Sequence, residues 1–244
     1  MTRGRAAAIA LLLAPVVVLG AGCAAPEPTP PDVVEVAAAV PVTRALPPAP
    51  AAQARPMFAS SIVPVDEALA ARMSASWRPG CPVPLEDLRY VTVTHIDFDG
   101  AVRTGELVVH ADVAEGVTRV FAALFEQRYP IRSMRLVDDF GADDTASMYA
   151  DNTSAFNCRA ITGGTAWSEH AYGRAIDINP VENPYVLGSH VGPRTGRPFV
   201  SRPAEPGVIH ADDAVVAAFA AEGWQWGGLW DGPIDYQHFS TTGR

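Results

Sequence analysis

Lysine is absent from this 244-residue chain. All 18 basic side chains are arginine, set against 27 acidic ones, for a formal net charge of −9. Nucleic-acid binders present a basic face, so this balance argues against that class. Cysteine is scarce as well: Cys23, Cys81 and Cys158 are the only three. Cys81 and Cys158 lie far apart, and neither has a Cys or His at zinc-finger spacing, which argues against a metal–thiolate site. The one long apolar run, Ala6 to Leu19, is too short and too Ala-rich for a comfortable membrane span. What the chain does have is 48% hydrophobic residues, enough to bury the core of one catalytic domain.

Residues 1–23 read as an export signal, with Arg3 and Arg5 before the apolar run and small residues up to Cys23. Gly20-Ala21-Gly22-Cys23 resembles a bacterial lipoprotein signal, in which Cys becomes the lipidated first residue. The large apolar residue, Leu19, stands four places before Cys23 instead of three. Ordinary cleavage, for instance after Ala25, therefore stays open beside lipidation. Residues 24–60 are rich in Pro and Ala, the composition of an extended tether without a packed core. The folded domain is expected over 61–244.

Within it, Val65, Leu69 and Met73 stand at helical spacing behind Pro64, predicting a helix over 65–76. Leu88 to Phe98 alternates as a strand. Asp99-Gly100 turns it, and Ala101 to His110 returns as the second half of a hairpin. Asp112 to Arg128 carries an apolar helical face, and Pro130 ends it. Ile131 to Val137 reads as a short strand, Asp138 to Thr165 as a polar loop and Pro180 to Gly207 as irregular. A helix over Asp212–Glu222 and one or two closing strands complete an α+β order. The expectation is a central antiparallel sheet with helices packed mainly on one face.

The most informative stretch runs from Trp167 to Tyr185. Ala175 to Asn179 alternates with the period of a half-buried strand, with Ala175, Asp177 and Asn179 on one face and Ile176 and Ile178 on the other. Gly173 can turn the chain so that His170 comes back beside Asp177. An imidazole and a carboxylate are two of the three ligands that a catalytic zinc needs. His238, with Asp235 three residues before it, offers the third. On a regular strand, residues three apart face opposite ways. Asp235 therefore reaches the metal side only if the chain turns or bulges there, and Gly232-Pro233 makes an irregular start plausible.

If Cys23 is lipidated or removed, Cys81 and Cys158 remain as a pair in an oxidising compartment. A bridge between them closes a loop of nearly eighty residues, worth on the order of 4 kcal/mol as an upper figure.

Ser168-x-His170-x-x-Gly173-x-Ala175-x-Asp177, followed by Asp235-x-x-His238, resembles the signature of the VanY-type zinc peptidases. These are D-alanyl-D-alanine carboxypeptidases and L-alanyl-D-glutamate endopeptidases of the bacterial wall. Their fold is shared with lysostaphin-like enzymes and the hedgehog signalling domain. The resemblance covers roughly Ile131 to Ser240, and residues 1–60 lie outside it. It implies one zinc held by His170, Asp177 and His238, with Asp235 as general base and acid. The substrates it implies are peptidoglycan stem peptides, met by an exported and monomeric protein at the outer face of the membrane or in the wall, with Cys23 as a possible lipid anchor.

The chemistry is consistent with that ligand set. Two neutral imidazoles and one carboxylate leave zinc at net +1 with an open position for water, and a neighbouring carboxylate can take that water's proton. Arg159 and Arg135 each either bind an oxyanion or peptide carboxylate or sit in a surface ion pair. Ser168 orients His170, touches substrate or simply shapes the turn. Trp224, Trp226 and Trp230 read as core and cleft wall. His95, His110, His190 and His210 read as ordinary surface or core histidines, and Glu182 as structural. Two functions stay open: a zinc peptidase trimming stem peptides, and a non-catalytic wall-binding module on the same fold.

Overall fold

Residues 56–244 are described in a computed structural model. The expected export signal, Cys23 and most of the Pro/Ala-rich segment lie outside the described residues. A first strand, β1 (Ser60–Pro64), begins where the tether was expected to end. A short helix, α1 (Glu67–Arg72), follows, and the hairpin β2 (Leu88–Ile96) and β3 (Val102–His110) completes an antiparallel sheet in the order β1-β2-β3.

α1 is shorter than its spacing predicts. Asp66 caps its start by accepting from Leu69 N at 2.9 Å. After Met73, the Asp138 carboxylate accepts from Ala75 N and Ser76 N at 3.0 and 2.8 Å. Those amides are no longer free to extend the helix, so it ends.

The hairpin register pairs Val91 with Leu107 and Arg89 with Val109. Val91, Val93, Leu107 and Val109 therefore share a buried face. α2 (Ala114–Glu126) lies against it through Val117, Val120, Phe121 and Leu124. Each such side chain contributes about 1.5–3 kcal/mol on burial. The opposite face is not left to solvent. Leu88 and Val108 pack there with Met73, Leu136 and Phe156. Cys81 and Cys158 are joined by a disulfide beside the same cluster, with Cα atoms 5.9 Å apart.

β4 (Ser133–Met134) runs parallel to β5 (Asn152–Thr153). Between them, the segment expected as loop contains α3 (Asp144–Tyr149), whose Asp143 cap accepts from Ala146 N. One six-residue helix in a polar tract has too few apolar positions to show a period. The irregular segment 180–207 likewise holds a hairpin, β7 (Tyr185–Leu187) and β8 (His190–Gly192). It lies downstream of β6 (Ala175–Asp177). α4 (Ala214–Ala221) packs on α2, and β9 (Gln225–Trp226), β10 (Ile234–Asp235) and β11 (His238–Ser240) close the chain.

Among the described residues the fold is α+β as expected, but it has no single central sheet. The later strands, each two or three residues long, form two further three-stranded sheets, β6-β11-β9 and β10-β7-β8. Gly and Pro recur between them (Gly188, Pro193, Gly227, Gly228, Gly232, Pro233), so no strand runs long enough to join one sheet. β6 also departs from the half-buried reading. Its two neighbours are β11 and a bridge to Ser154, and Ala175 through Asn179 is buried on both faces.

Candidate metal centre

His238 stands directly across from Asp177 in the β11–β6 ladder. A cross-strand pair brings two side chains within reach on one face, so the two closing strands deliver two of the expected ligands by register alone. His170 arrives from a tight helical turn, Glu169–Tyr172, ended by Gly173 in the left-handed region at φ 67°. A Cβ on Gly173 would lie 2.6 Å from His110 N, so glycine is required both for the turn and for its contact with β3. Ser168 caps the turn by accepting from His170 N at 3.4 Å. The hydroxyl thus has the turn-shaping role, and the residue also lines the cleft.

The three side chains converge. His170 Nε2 lies 3.2 Å from Asp177 Oδ2, and His238 Nδ1 lies 3.0 Å from Asp177 Oδ1. One nitrogen from each ring and one carboxylate oxygen fall within 4.8 Å of one another, and all three residues are buried. The remaining ring nitrogens face main-chain oxygens: His170 Nδ1 meets Ala155 O at 2.5 Å, and His238 Nε2 meets Arg244 O at 3.0 Å. A main-chain acceptor behind an imidazole is an arrangement found around metal-ligating histidines. Burial opposes ionisation of Asp177, but the charge and hydrogen bonds of His170 and His238 outweigh it and hold the carboxyl well below the usual range. Burial also opposes protonation of His238, and the Asp177 hydrogen bond and charge overcome it, raising the imidazole to about 8. Two nitrogens and one carboxylate oxygen, closely grouped and backed from behind, fit a zinc ion.

These residues form the floor of a cleft of about 1020 Å³. Asp235 lies on its wall. The residue is half-buried, but Oδ1 is sealed from solvent without a hydrogen-bond partner. Burial first, then the charge of Asp177, push its carboxyl up to about 7. The required irregularity between Asp235 and His238 is a change of sheet. Asp235 pairs with Tyr185 in β10–β7, whereas His238 pairs with Asp177 in β11–β6. Gly227 makes room for the crossing, since a Cβ there would come within 2.7 Å of Asp235 O.

A family model described as D-alanyl-D-alanine carboxypeptidase matches residues 162–241. The match supports a peptidase of the VanY type. His170, Asp177, Asp235 and His238 all fall inside it, whereas Cys81, Cys158 and Arg159 lie before it. No curated protein and no solved structure matches the chain.

Arg159 lines the cleft, with Nη2 held by Asp144 Oδ2 at 2.9 Å and a buried Nε that has no partner. Arg135 is elsewhere, bound to Asp139 at 3.0 Å and resting over Phe140. Trp224 and Trp226 are core residues, while Trp230 stands on the cleft wall 5.4 Å from His238. His190, expected to be an ordinary histidine, is on the cleft rim, its ring edge-on to Tyr185 at 6.2 Å. Neither residue stands out by spacing. Tyr185 and His190 reach the cleft on the β7–β8 hairpin, and the polar, Pro-rich composition of that segment concealed its strands.

Proposed function

We propose that this chain is a zinc-dependent peptidase that hydrolyses peptide bonds in peptidoglycan stem peptides, of the D-alanyl-D-alanine carboxypeptidase or L-alanyl-D-glutamate endopeptidase type. The fold it implies is that of the hedgehog and D-Ala-D-Ala-peptidase group. One observation carries the reading: His170, Asp177 and His238 are gathered on the floor of an open cleft, with the raised carboxyl of Asp235 on its wall. The family match over 162–241 agrees with it.

His170, Asp177 and His238 would hold the metal. When bound, zinc would supply Lewis-acid polarisation of a carbonyl oxygen and a water of lowered pKa. Asp235 accepts the proton of the attacking water at its carboxylate and returns it to the leaving amine nitrogen. Trp230 and Tyr185 wall the cleft and limit water around the scissile bond. Arg159 and Ser168 are the proposed contacts to the peptide. Arg159 lines the cleft, and a guanidinium there is suited to a carboxylate or carbonyl oxygen.

The reading includes export through residues 1–23, anchoring through a lipid on Cys23, and a monomeric enzyme working in the wall. The Cys81–Cys158 bridge suits an oxidising compartment. Incubating the zinc-loaded protein with purified muropeptides and identifying products by mass spectrometry tests the activity and names the bond. Loss of a terminal D-alanine or cleavage after L-alanine supports it. Intact muropeptides that remain bound to the protein would overturn it in favour of a binding module.

A further inference from the structure

Two acidic side chains that do not line the cleft are buried against each other. Asp151 stands between α3 and β5, Glu182 stands in the connection from β6 to β7, and each is more than nine-tenths buried. Their carboxyl groups meet. Asp151 has donors of its own: Val181 N donates to Oδ1 at 2.9 Å, and Arg132 Nε lies 3.6 Å from Oδ2. Glu182 Oε2 is sealed from solvent, and no N–H or O–H reaches it. Two carboxylates hold no hydrogen between them. A bare buried oxygen facing a second negative charge is penalised twice, by desolvation and by repulsion. One proton between the two groups removes both penalties and makes the contact a hydrogen bond to a charged acceptor, which is a strong kind.

The neighbouring groups do not replace that proton. Arg132 is half exposed and faces Asp151, which favours Asp151 as the charged member. Arg202 donates to the main-chain oxygen of Glu182 at 2.8 Å and to Asn183 Oδ1 at 2.6 Å. Tyr129 donates to Gly207 O at 2.6 Å. Burial first, then the hydrogen bond and charge of Asp151, push the Glu182 carboxyl up to about 8. We propose that Asp151 and Glu182 share one proton, carried by Glu182, and that this bond is a pH-sensitive clamp between two segments that support the cleft. The corner at Asp151 leads through β5 to Ala155, whose carbonyl meets His170 Nδ1. The connection at Glu182 leads into β7, which pairs with β10 at Asp235. Loss of the proton in alkali leaves two facing charges and loosens one segment from the other. The clamp does not depend on the zinc or the peptidase reading.

The unfolded Glu182 carboxyl ionises near 4.5, so from there to about 8 the folded chain holds a proton that the unfolded chain has released. The clamp's contribution to stability is whole below that window and lost as pH rises through it. Thermal melts across the window compare wild type with Glu182→Gln, Asp151→Asn and the double variant. Asp235 titrates in all four proteins, so the differences between curves are read. An amide donates at every pH what the carboxyl donates only while protonated. Each single variant should melt level with wild type at the acid end and several degrees above it at the alkaline end, and the double variant should gain nothing further. Side-chain ¹³C spectra give a second readout, with the Glu182 signal identified by its loss in Glu182→Gln. A protonated Glu182 at about pH 6, well above the ordinary carboxyl range, supports the proposal whether or not Asp151→Asn folds. A carboxylate signal there, or parallel melting curves for wild type and Glu182→Gln, overturns it. Added calcium that raises the alkaline melting of wild type alone also overturns it, in favour of a cation between the two carboxylates.

Discussion

Replacing Asp235 with Asn separates the proton-transfer chemistry from the metal chemistry, and the structure sets the size of two effects. The first is on stability. The Asp235 carboxyl is moved from 3.8 to about 7 by burial and by the charge of Asp177. Each pKa unit is worth 1.36 kcal/mol, so the charged form costs the metal-free protein about 4 kcal/mol, an upper figure because one edge of the residue meets the cleft. Between pH 4 and 7 the unfolded chain has released a proton that the folded chain still holds. Stability of the metal-free wild type therefore falls as pH rises through that window, and the whole penalty remains above it. Asp235→Asn cannot ionise. Stripped of metal, it should melt several degrees above wild type at pH 8 and level with it near pH 4. The second effect is on rate. Amide nitrogen cannot take a proton, so turnover should fall by roughly two or more orders of magnitude, about 3 kcal/mol of barrier. Zinc should stay bound, because His170, Asp177 and His238 are untouched. KM should change little, since the lost interaction belongs to the transition state. Thermal melts across pH, metal analysis and muropeptide kinetics on the one variant provide all of these readouts. Loss of zinc from Asp235→Asn, or turnover within a fewfold of wild type, would refute the assignment of Asp235 as the proton carrier.

His170→Ala or His238→Ala should abolish both zinc binding and hydrolysis; full metal occupancy in either variant would break the ligand assignment. Chelation of the wild type should stop turnover, and added zinc should restore it. Non-reducing peptide mapping should recover Cys81 joined to Cys158. Replacing both with Ser should then lower stability by up to about 4 kcal/mol, the entropy of an open loop of this length, as read by denaturant titration. Gly173→Ala places a Cβ 2.6 Å from His110 N in a left-handed conformation. It should cost more than the ~1 kcal/mol of the backbone strain alone and weaken zinc binding, so a variant with wild-type melting and affinity would show that the turn tolerates a side chain.

Sequence legibility divides along chain length and polarity. The Leu88–His110 hairpin and α2 were readable because nine to thirteen residues leave room for a period of two or 3.6 to repeat. β6 was placed correctly by its alternation, yet its neighbours on both sides could not be inferred from a period, so its burial was underestimated. α3, β7 and β8 are too short and polar to leave any pattern. The ligand types were legible because His170, Asp177 and His238 carry the spacing of a motif. The means by which Asp235 reaches the same space was not, since it depends on a strand leaving one ladder for another between residues 235 and 238. His190 was missed as part of the cleft for a related reason. It arrives by a return of the chain that only the three-dimensional path reveals.

The change of sheet after Asp235 separates the two proposed jobs of the centre between different ladders. The candidate ligands Asp177 and His238 face each other across β6 and β11, whereas Asp235, the proposed proton carrier, lies in β10, which pairs with the β7–β8 hairpin. Substitutions, insertions or deletions in that hairpin can move Asp235 together with Tyr185 while the three candidate ligands keep their places. On the proposed function, a library confined to residues 184–192 is the natural place to vary substrate and rate without disturbing the candidate metal floor.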